Sequence, residues 1–389
     1  MQAIEVAALA RLMSGDPDTA VPPGLTHLGD LAVVPSYARK PPFRLDMTDI
    51  DPGPRRMAEE YFRHGMTHYD GVRHFRIADA LVVGQGTVIA GGNCLIRDSA
   101  AEFLAHGGAP DGLTSLGDGR FALKAAPTAV IDRPSLLLKR PWWPNYGHWL
   151  VDSAALLALA DRFDLPAGWQ IVTGRHHGFM QAIVRETLDL LASGVDVVEH
   201  PDDEVWRFAE LHYFSPVHIP PLFKLPAAIA ALREQVLRGR PSKRWPYRTI
   251  YVARGSVVPR RLVNEAEVIR LCGTLGIEVV SPEGMSLRDQ AALFRDAALV
   301  VGVKGAALTN ALFCAPGTHV VALSPGDFPD PFFWDLVGQS GGNYSEIFGP
   351  VASSDLPPAE NPFTVDVGRL RAILTACFEH IASAWAGVP

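Results

Sequence analysis

Hydrophobic and polar positions fall into three textures along the chain. Residues 1–75 set short apolar pieces among prolines and polar residues and read as an irregular extension, although MQAIEVAALARLM at the start has the spacing of a short amphipathic helix. From Ala80, ALVVGQGTVIAGGNCLIRDS alternates apolar runs with glycine-bearing turns, the pattern of β-hairpins, and TAVID (128–132) and SLLLK (135–139) extend the strands. A helical period takes over at HWLVDSAALLALADRF (148–163). WQIVTG (169–174) is a short strand, FMQAIVRETLDLLASG (179–194) an amphipathic helix closed by glycine, and PAAIAALREQVL (226–237) a further helix.

RGRPSKRWPYR (238–248) packs five basic residues and two prolines into eleven positions and reads as a solvated linker. Beyond it the pattern is regular. TIYVAR (249–254), IEVVSP (277–282), LVVGV (299–303) and HVVALSP (319–325) are strands. NEAEVIRLCGTLG (264–276), SLRDQAALFRDA (286–297), GAALTNALFCAPG (305–317) and FFWDLVGQSGG (332–342) are the intervening helices. Such alternation implies right-handed crossovers and an α/β fold with a parallel sheet covered by helices on both faces. GRLRAILTACFEHIASAW (368–385) is a long terminal helix outside that alternation.

Composition narrows the class. With 389 residues, 48% apolar and 20% charged, the chain is long enough for two or three domains with their own cores, and wholesale disorder is excluded. Lys and Arg number 35 against 42 Asp and Glu, a formal charge of −7, which gives no general electrostatic reason to coat nucleic acid or an anionic membrane. Cys94, Cys272, Cys314 and Cys377 lie far apart without a C-x-x-C, as expected of buried thiols in a reducing compartment. No apolar run approaches the ~18–20 residues of a membrane span. The first residues lack the basic region of a signal peptide. The expectation is a cytoplasmic protein, and abundant Ala, Gly, Pro and Arg point to a bacterial source.

Three segments carry candidate chemistry. In VVGVKGAALTN (300–310) a buried strand runs into Gly305 and Ala306 at a helix start, where backbone N–H groups suit a phosphate and Lys304 adds a positive charge. The alternative is a close turn whose small residues only permit packing. In KRPWWPNYGHWLVD (139–152), Trp142, Trp143 and Trp149 crowd with Tyr146, and flat rings with polar edges suit the C–H faces of sugars or fill cores. A helix starting near Asn145 places Asn145, His148, Trp149 and Asp152 on one face. A carboxylate one turn from an imidazole orients it as a general base. The alternative is an inward polar face satisfied by backbone. Arg254 ends the first strand of the C-terminal half, with Arg260, Arg261, Asn264 and Glu265 just after it. Arginines at the carboxyl ends of parallel strands suit anionic oxygens, and a basic solvated loop is the alternative.

Other signals carry less. His176–His177 have no third ligand, and Asp16-x-Asp18 and Asp49-x-Asp51 lie in proline-flanked loops, so no metal is expected. The absence of G-x-G-x-x-G removes a nicotinamide-dependent dehydrogenase, and no G-x-x-x-x-G-K-[ST] or G-x-S-x-G occurs.

Taken in order, NYGHWLVD (145–152), YVARG with RRLVNEAEV (251–268), SPEGMSLRDQAALFRDA (281–297), VVGVKGAALTNALFCAPG (300–317) and GGNYSEIFG (341–349) resemble glycosyltransferase family 61. The resemblance spans roughly residues 80–350. It implies two Rossmann-like lobes of GT-B type: an acceptor-side lobe (1–240) with additional hairpins, a nucleotide-sugar lobe (245–350), and a terminal helix (366–385) reaching back towards the first lobe. It also implies inverting transfer, usually of N-acetylglucosamine or a pentose, with no cofactor or obligatory metal. On that reading His148 and Asp152 are catalytic, and Asn145, Tyr146 and Trp149 bind a glycan or polysaccharide acceptor. Arg254, Arg260, Arg261, Asn264, Glu283, Lys304, Gly305, Ala306, Thr309 and Asn310 hold the nucleotide-sugar donor. Lys304 stands where the family typically has histidine, which suits phosphate binding and not proton transfer. That departure keeps a second reading open, a catalytically inactive glycan- or nucleotide-binding protein of the same fold.

Overall fold

The computed structural model describes residues 3–7, 21–31, 36–63, 65–68, 71–241, 246–254, 259–352, 356–357 and 360–386. Contacts divide the chain into two compact units, one formed by 1–35 and 70–218, the other by 36–69 and 219–389. The break after His218 falls earlier than the expected boundary at 240, because the helix Pro226–Leu237 packs on Leu287–Arg295 in the second unit. Of the basic linker, residues 242–245 lie outside the described residues, as does Asp16-x-Asp18.

The first unit is built on a mixed ten-stranded sheet. Its parallel part sets Asp196–Glu199, Gln170–Thr173, Ser135–Leu137 and Val205–Phe214 side by side. The expected hairpins follow: Arg73–Val83 pairs antiparallel with Val205–Phe214 and with Thr87–Ala90, which pairs with Cys94–Ile96. Phe75, Ile77, Val82, Leu137, Val172, Phe208 and Tyr213 form the core. At the chain start, Glu5–Ala7 is a strand parallel to Cys94–Ile96, not the helix its spacing suggests. Ile4 and Val6 also fit a period of two, and over so few residues the sheet edge decides. The rest of that predicted helix lies outside the described residues.

The second unit carries a six-stranded, wholly parallel sheet in the order Glu278–Val280, Arg248–Val252, Ala297–Val303, His319–Pro325, Asn343–Gly349, Arg44–Asp46. Its central strands are buried along their whole length, as a sheet covered on both faces requires. The sixth strand comes from the extension that the sequence pattern left irregular. Asp335, fully buried, fixes that segment: it accepts from Arg39 Nε (2.6 Å), Tyr37 OH (2.6 Å) and Lys224 Nζ (3.0 Å). The helix expected to begin at Gly305 is a 3₁₀ helix, Ala306–Phe313. The terminal helix Val367–Ala386 packs within the second unit. Leu370, Ile373, Leu374 and Cys377 are buried with Tyr251, Val268 and Leu271 in the core of the second. Among the described residues, no helix is long and apolar enough to cross a membrane.

Candidate functional site

In the first unit, the chain leaves the carboxyl end of Ser135–Leu137 and turns into the helical stretch through an Asn145 cap. Asn145 Oδ1 accepts from Gly147 N (2.8 Å) and His148 N (3.4 Å). One α-turn, Tyr146–His148, opens into a π-helical segment, Trp149–Ala154, a widening often found at functional sites. His148 and Asp152 still meet, with His148 Nδ1 2.9 Å from Asp152 Oδ2. The other carboxylate oxygen lies 2.8 Å from His218 Nδ1, supplied by the segment after Val205–Phe214. Exposure grades across the three side chains: His218 is 1% exposed, Asp152 15% and His148 28%, so solvent reaches the cluster at His148. Burial pushes the Asp152 carboxyl up, but His218 and His148 outweigh it and hold it below the ordinary carboxylate range. With Nδ1 donating to Asp152, a neutral His148 presents Nε2 as a base.

Two members of this site were not legible in the spacing. His218 lies 66 positions from Asp152. Glu102, on the short helix Ala101–Ala105, sits close enough to sense His148, Asp152 and His218, and burial raises its carboxyl. The candidate ligand atoms of His148, Asp152 and His218 lie within 4.8 Å of one another, a set that could also hold a divalent ion.

The predicted acceptor face divides. Trp149 is 0% exposed and its indole donates to Thr187 Oγ1 (3.2 Å). Tyr146 is also buried, near Phe179. Both are packed in the interior, which leaves little of either ring to a ligand. Asn145 is exposed, but its carbonyl oxygen is engaged as the cap.

In the second unit, Arg248–Val252 lies between Glu278–Val280 and Ala297–Val303, where the order of the strands reverses. Ligands bind in the crevice outside the carboxyl ends at such a point. Arg254 follows the first of these strands and Gly305 the second. Arg254 Nη1 donates to the Lys304 carbonyl (3.0 Å), and its guanidinium lies so close to Gly305 that a Cβ there would sit 2.9 Å from Nη1. Burial, then the neighbouring Arg260, lowers Arg254 to about 10. Burial also lowers Arg260, whose guanidinium lies 5.2 Å from the Phe328 ring centre. Among the described residues, neither guanidinium has an ion-pair partner. Glu265 and Glu283 near Arg254, and Asp330 and Glu360 near Arg260, offset part of the effect of burial without forming an ion pair among the described residues, so both guanidiniums keep donors that an anion could use. Arg261 and Glu283 are exposed, and Ala306 is partly exposed.

Four other donor candidates are turned inward. Lys304 is 0% exposed, ion-paired with Glu346 and donating to the Asp330 carbonyl (2.6 Å). Its ammonium therefore serves the core and does not extend to a phosphate. The counter-charge comes from a strand 42 positions later (346 − 304), which local spacing could not reveal. Asn264 clamps Val365, donating to its carbonyl (2.8 Å) and accepting from its N–H (3.1 Å). Asn310 is buried and donates to Gln290 Oε1 (2.8 Å) and Ala307 O (3.1 Å), and Thr309 is buried beside it.

Residues 146–321 match the family model described as Glycosyltransferase 61. No curated protein matches the chain. The matched span contains His148, Asp152 and His218 as well as Arg254, Arg260 and Gly305.

Proposed function

From the match of residues 146–321 to the Glycosyltransferase 61 family, we propose that this chain is an inverting enzyme of that family, transferring a sugar from a nucleotide-sugar donor to a hydroxyl of a glycan or polysaccharide. The observation that carries the reading is the bond of His148 to a carboxylate anchored from behind by His218. His148 Nε2 takes the proton of the acceptor hydroxyl. The oxygen forms a bond to the anomeric carbon on the face opposite the nucleotide, the bond to the diphosphate oxygen breaks, and the configuration inverts. Asp152, kept ionised by its two imidazoles, stabilises the imidazolium that forms. Arg254, Arg260 and the backbone at Gly305–Ala306 are the groups we assign to the departing diphosphate, with Lys304 removed from that role.

We read the three-residue cluster as hydrogen-bonded and metal-free, its Nδ1···O distances of 2.8 and 2.9 Å being those of N–H donors on a carboxylate. The proposed compartment is the cytoplasm, supported by four cysteines that are all free thiols. The test is release of nucleoside diphosphate from a panel of nucleotide sugars by purified protein, with and without glycan acceptors. Transfer that is lost in His148→Ala supports the reading. Nucleotide binding with no turnover of any donor favours the inactive binding protein.

A further inference from the structure

Of the tryptophans in the 139–152 segment, Trp143 and Trp149 are core residues, while Trp142 is 52% exposed. Its backbone is left-handed, with φ +62°, a conformation that a bulky side chain keeps only where its surroundings enforce it. Those surroundings are specific. Trp142 N donates to Gln85 Oε1 (2.9 Å), and Gln85 is held in turn by Asp111 (2.9 Å). Gln85 sits in the tight turn between Arg73–Val83 and Thr87–Ala90. That turn is jammed against the segment: a Cβ at Gly86 would lie 2.2 Å from the Lys139 carbonyl oxygen. The Trp142 side chain also lies close enough to Glu102 to favour its charged form, against the burial that raises that carboxyl.

The ring is also tied to the base. The Trp142 carbonyl accepts from Asn145 N (2.8 Å), Asn145 caps His148, and Glu102 senses His148, Asp152 and His218. A left-handed backbone, a main chain held on both sides and a half-exposed ring, in the segment that leads into the His148 cap, form a preorganised stacking surface. The C–H face of a pyranose or furanose is the chemistry that complements it.

We propose that Trp142 is the platform on which a saccharide ring of the acceptor stacks, so that a hydroxyl of that ring or its neighbour is delivered to His148. The acceptor is then itself a carbohydrate, recognised by a ring face and not only by the hydroxyl that reacts. The delivery step rests on the reading of His148 as the base; the stacking does not.

The experiment is capture of purified protein on an array of defined oligosaccharides, repeated with Trp142→Ala, Trp142→Phe and His148→Ala. Wild-type protein binds at least one oligosaccharide. Trp142→Ala loses that binding tenfold or more, Trp142→Phe retains part of it, and His148→Ala retains most while losing transfer. The near-UV circular dichroism and unfolding Tm of Trp142→Ala stay at wild-type values, which reports that the variant folds. Equal binding by Trp142→Ala and wild type, or wild-type protein that binds no oligosaccharide at millimolar concentration, overturns the platform. Loss of glycan binding in Trp142→Ala together with full transfer by His148→Ala keeps the platform and refutes the base.

Discussion

His218 donates from Nδ1 to the oxygen of Asp152 that the bond to His148 leaves over, so one carboxylate carries two imidazoles on opposite edges. The exposed ring acquires orientation, and the buried ring fixes the carboxylate that orients it. Removing different members of this set should therefore have different consequences.

His148→Ala should cut kcat by ~10²–10⁴-fold with little change in donor affinity, the range for loss of a general base. His218→Phe should lower kcat less and shift the pH profile of transfer, because His148 keeps a carboxylate that is no longer anchored. Steady-state kinetics across pH separate the two. Prolonged EDTA treatment should leave transfer intact, and activity that vanishes and returns with added zinc or manganese would show that the three side chains hold a metal instead.

Acid should destabilise the fold in two windows. Burial lowers His74, His176 and His319 to about 4 and His200 to about 3, against an ordinary value of 6.5. The unfolded chain then binds protons that the folded chain refuses. Stability is full above pH 6.5 and is lost progressively as pH falls towards 4. Asp152 acts lower: its depressed carboxyl stabilises the fold above the ordinary value of 3.8 and ceases to do so as pH falls through its folded value. Thermal denaturation at constant ionic strength should show Tm declining from near pH 6.5, and a flat profile to pH 4.5 contradicts this account.

Lys304→Ala should be a stability variant. It strands the buried Glu346, at a cost of about 3–5 kcal/mol. Lys304→Met combined with Glu346→Gln should recover much of that loss, since the charges leave together. Nucleoside diphosphate affinity of the folded fraction should match wild type. A large affinity loss in the double variant would restore Lys304 as a phosphate ligand.

Arg254→Ala should weaken nucleoside diphosphate binding by about 1.5–3 kcal/mol, the scale of a charge-assisted hydrogen bond, and nucleoside binding much less. Gly305→Ala should weaken the same ligand by displacing the guanidinium from the surface its missing Cβ leaves open. Calorimetry with both ligands distinguishes a phosphate contact from a general loss of shape.

What the sequence could and could not disclose follows from how far each interaction reaches. The helices and four strands from 249 to 342 are local in period, and the structure keeps them except that the stretch after Gly305 winds as a 3₁₀ helix. His148 and Asp152 are one turn apart and were legible. His218 and Glu102 join them through tertiary contact alone. Lys304 misled because a lysine before a glycine turn has the same local spacing whether its ammonium meets phosphate or Glu346. Which aromatic is exposed was not legible either: Trp149 is buried in the π-helical segment, whereas Trp142, with a left-handed backbone, is exposed, and neither feature has a local signature in the spacing.

The buried Asp335 has an implication for how the molecule is made. Its partner Arg39 lies 296 positions earlier, and the edge strand Arg44–Asp46 completes a sheet whose other strands are synthesised last. During translation, residues 36–69 emerge first and wait, while residues 70–218 can form their own unit in the interval. A fragment beginning at residue 219 would carry Asp335 and Lys224 without Arg39, and would leave Asn343–Gly349 as an open sheet edge prone to self-association. The second unit is therefore not separable by cutting the chain once; joining 36–69 directly to 219–389 is the connection that preserves it.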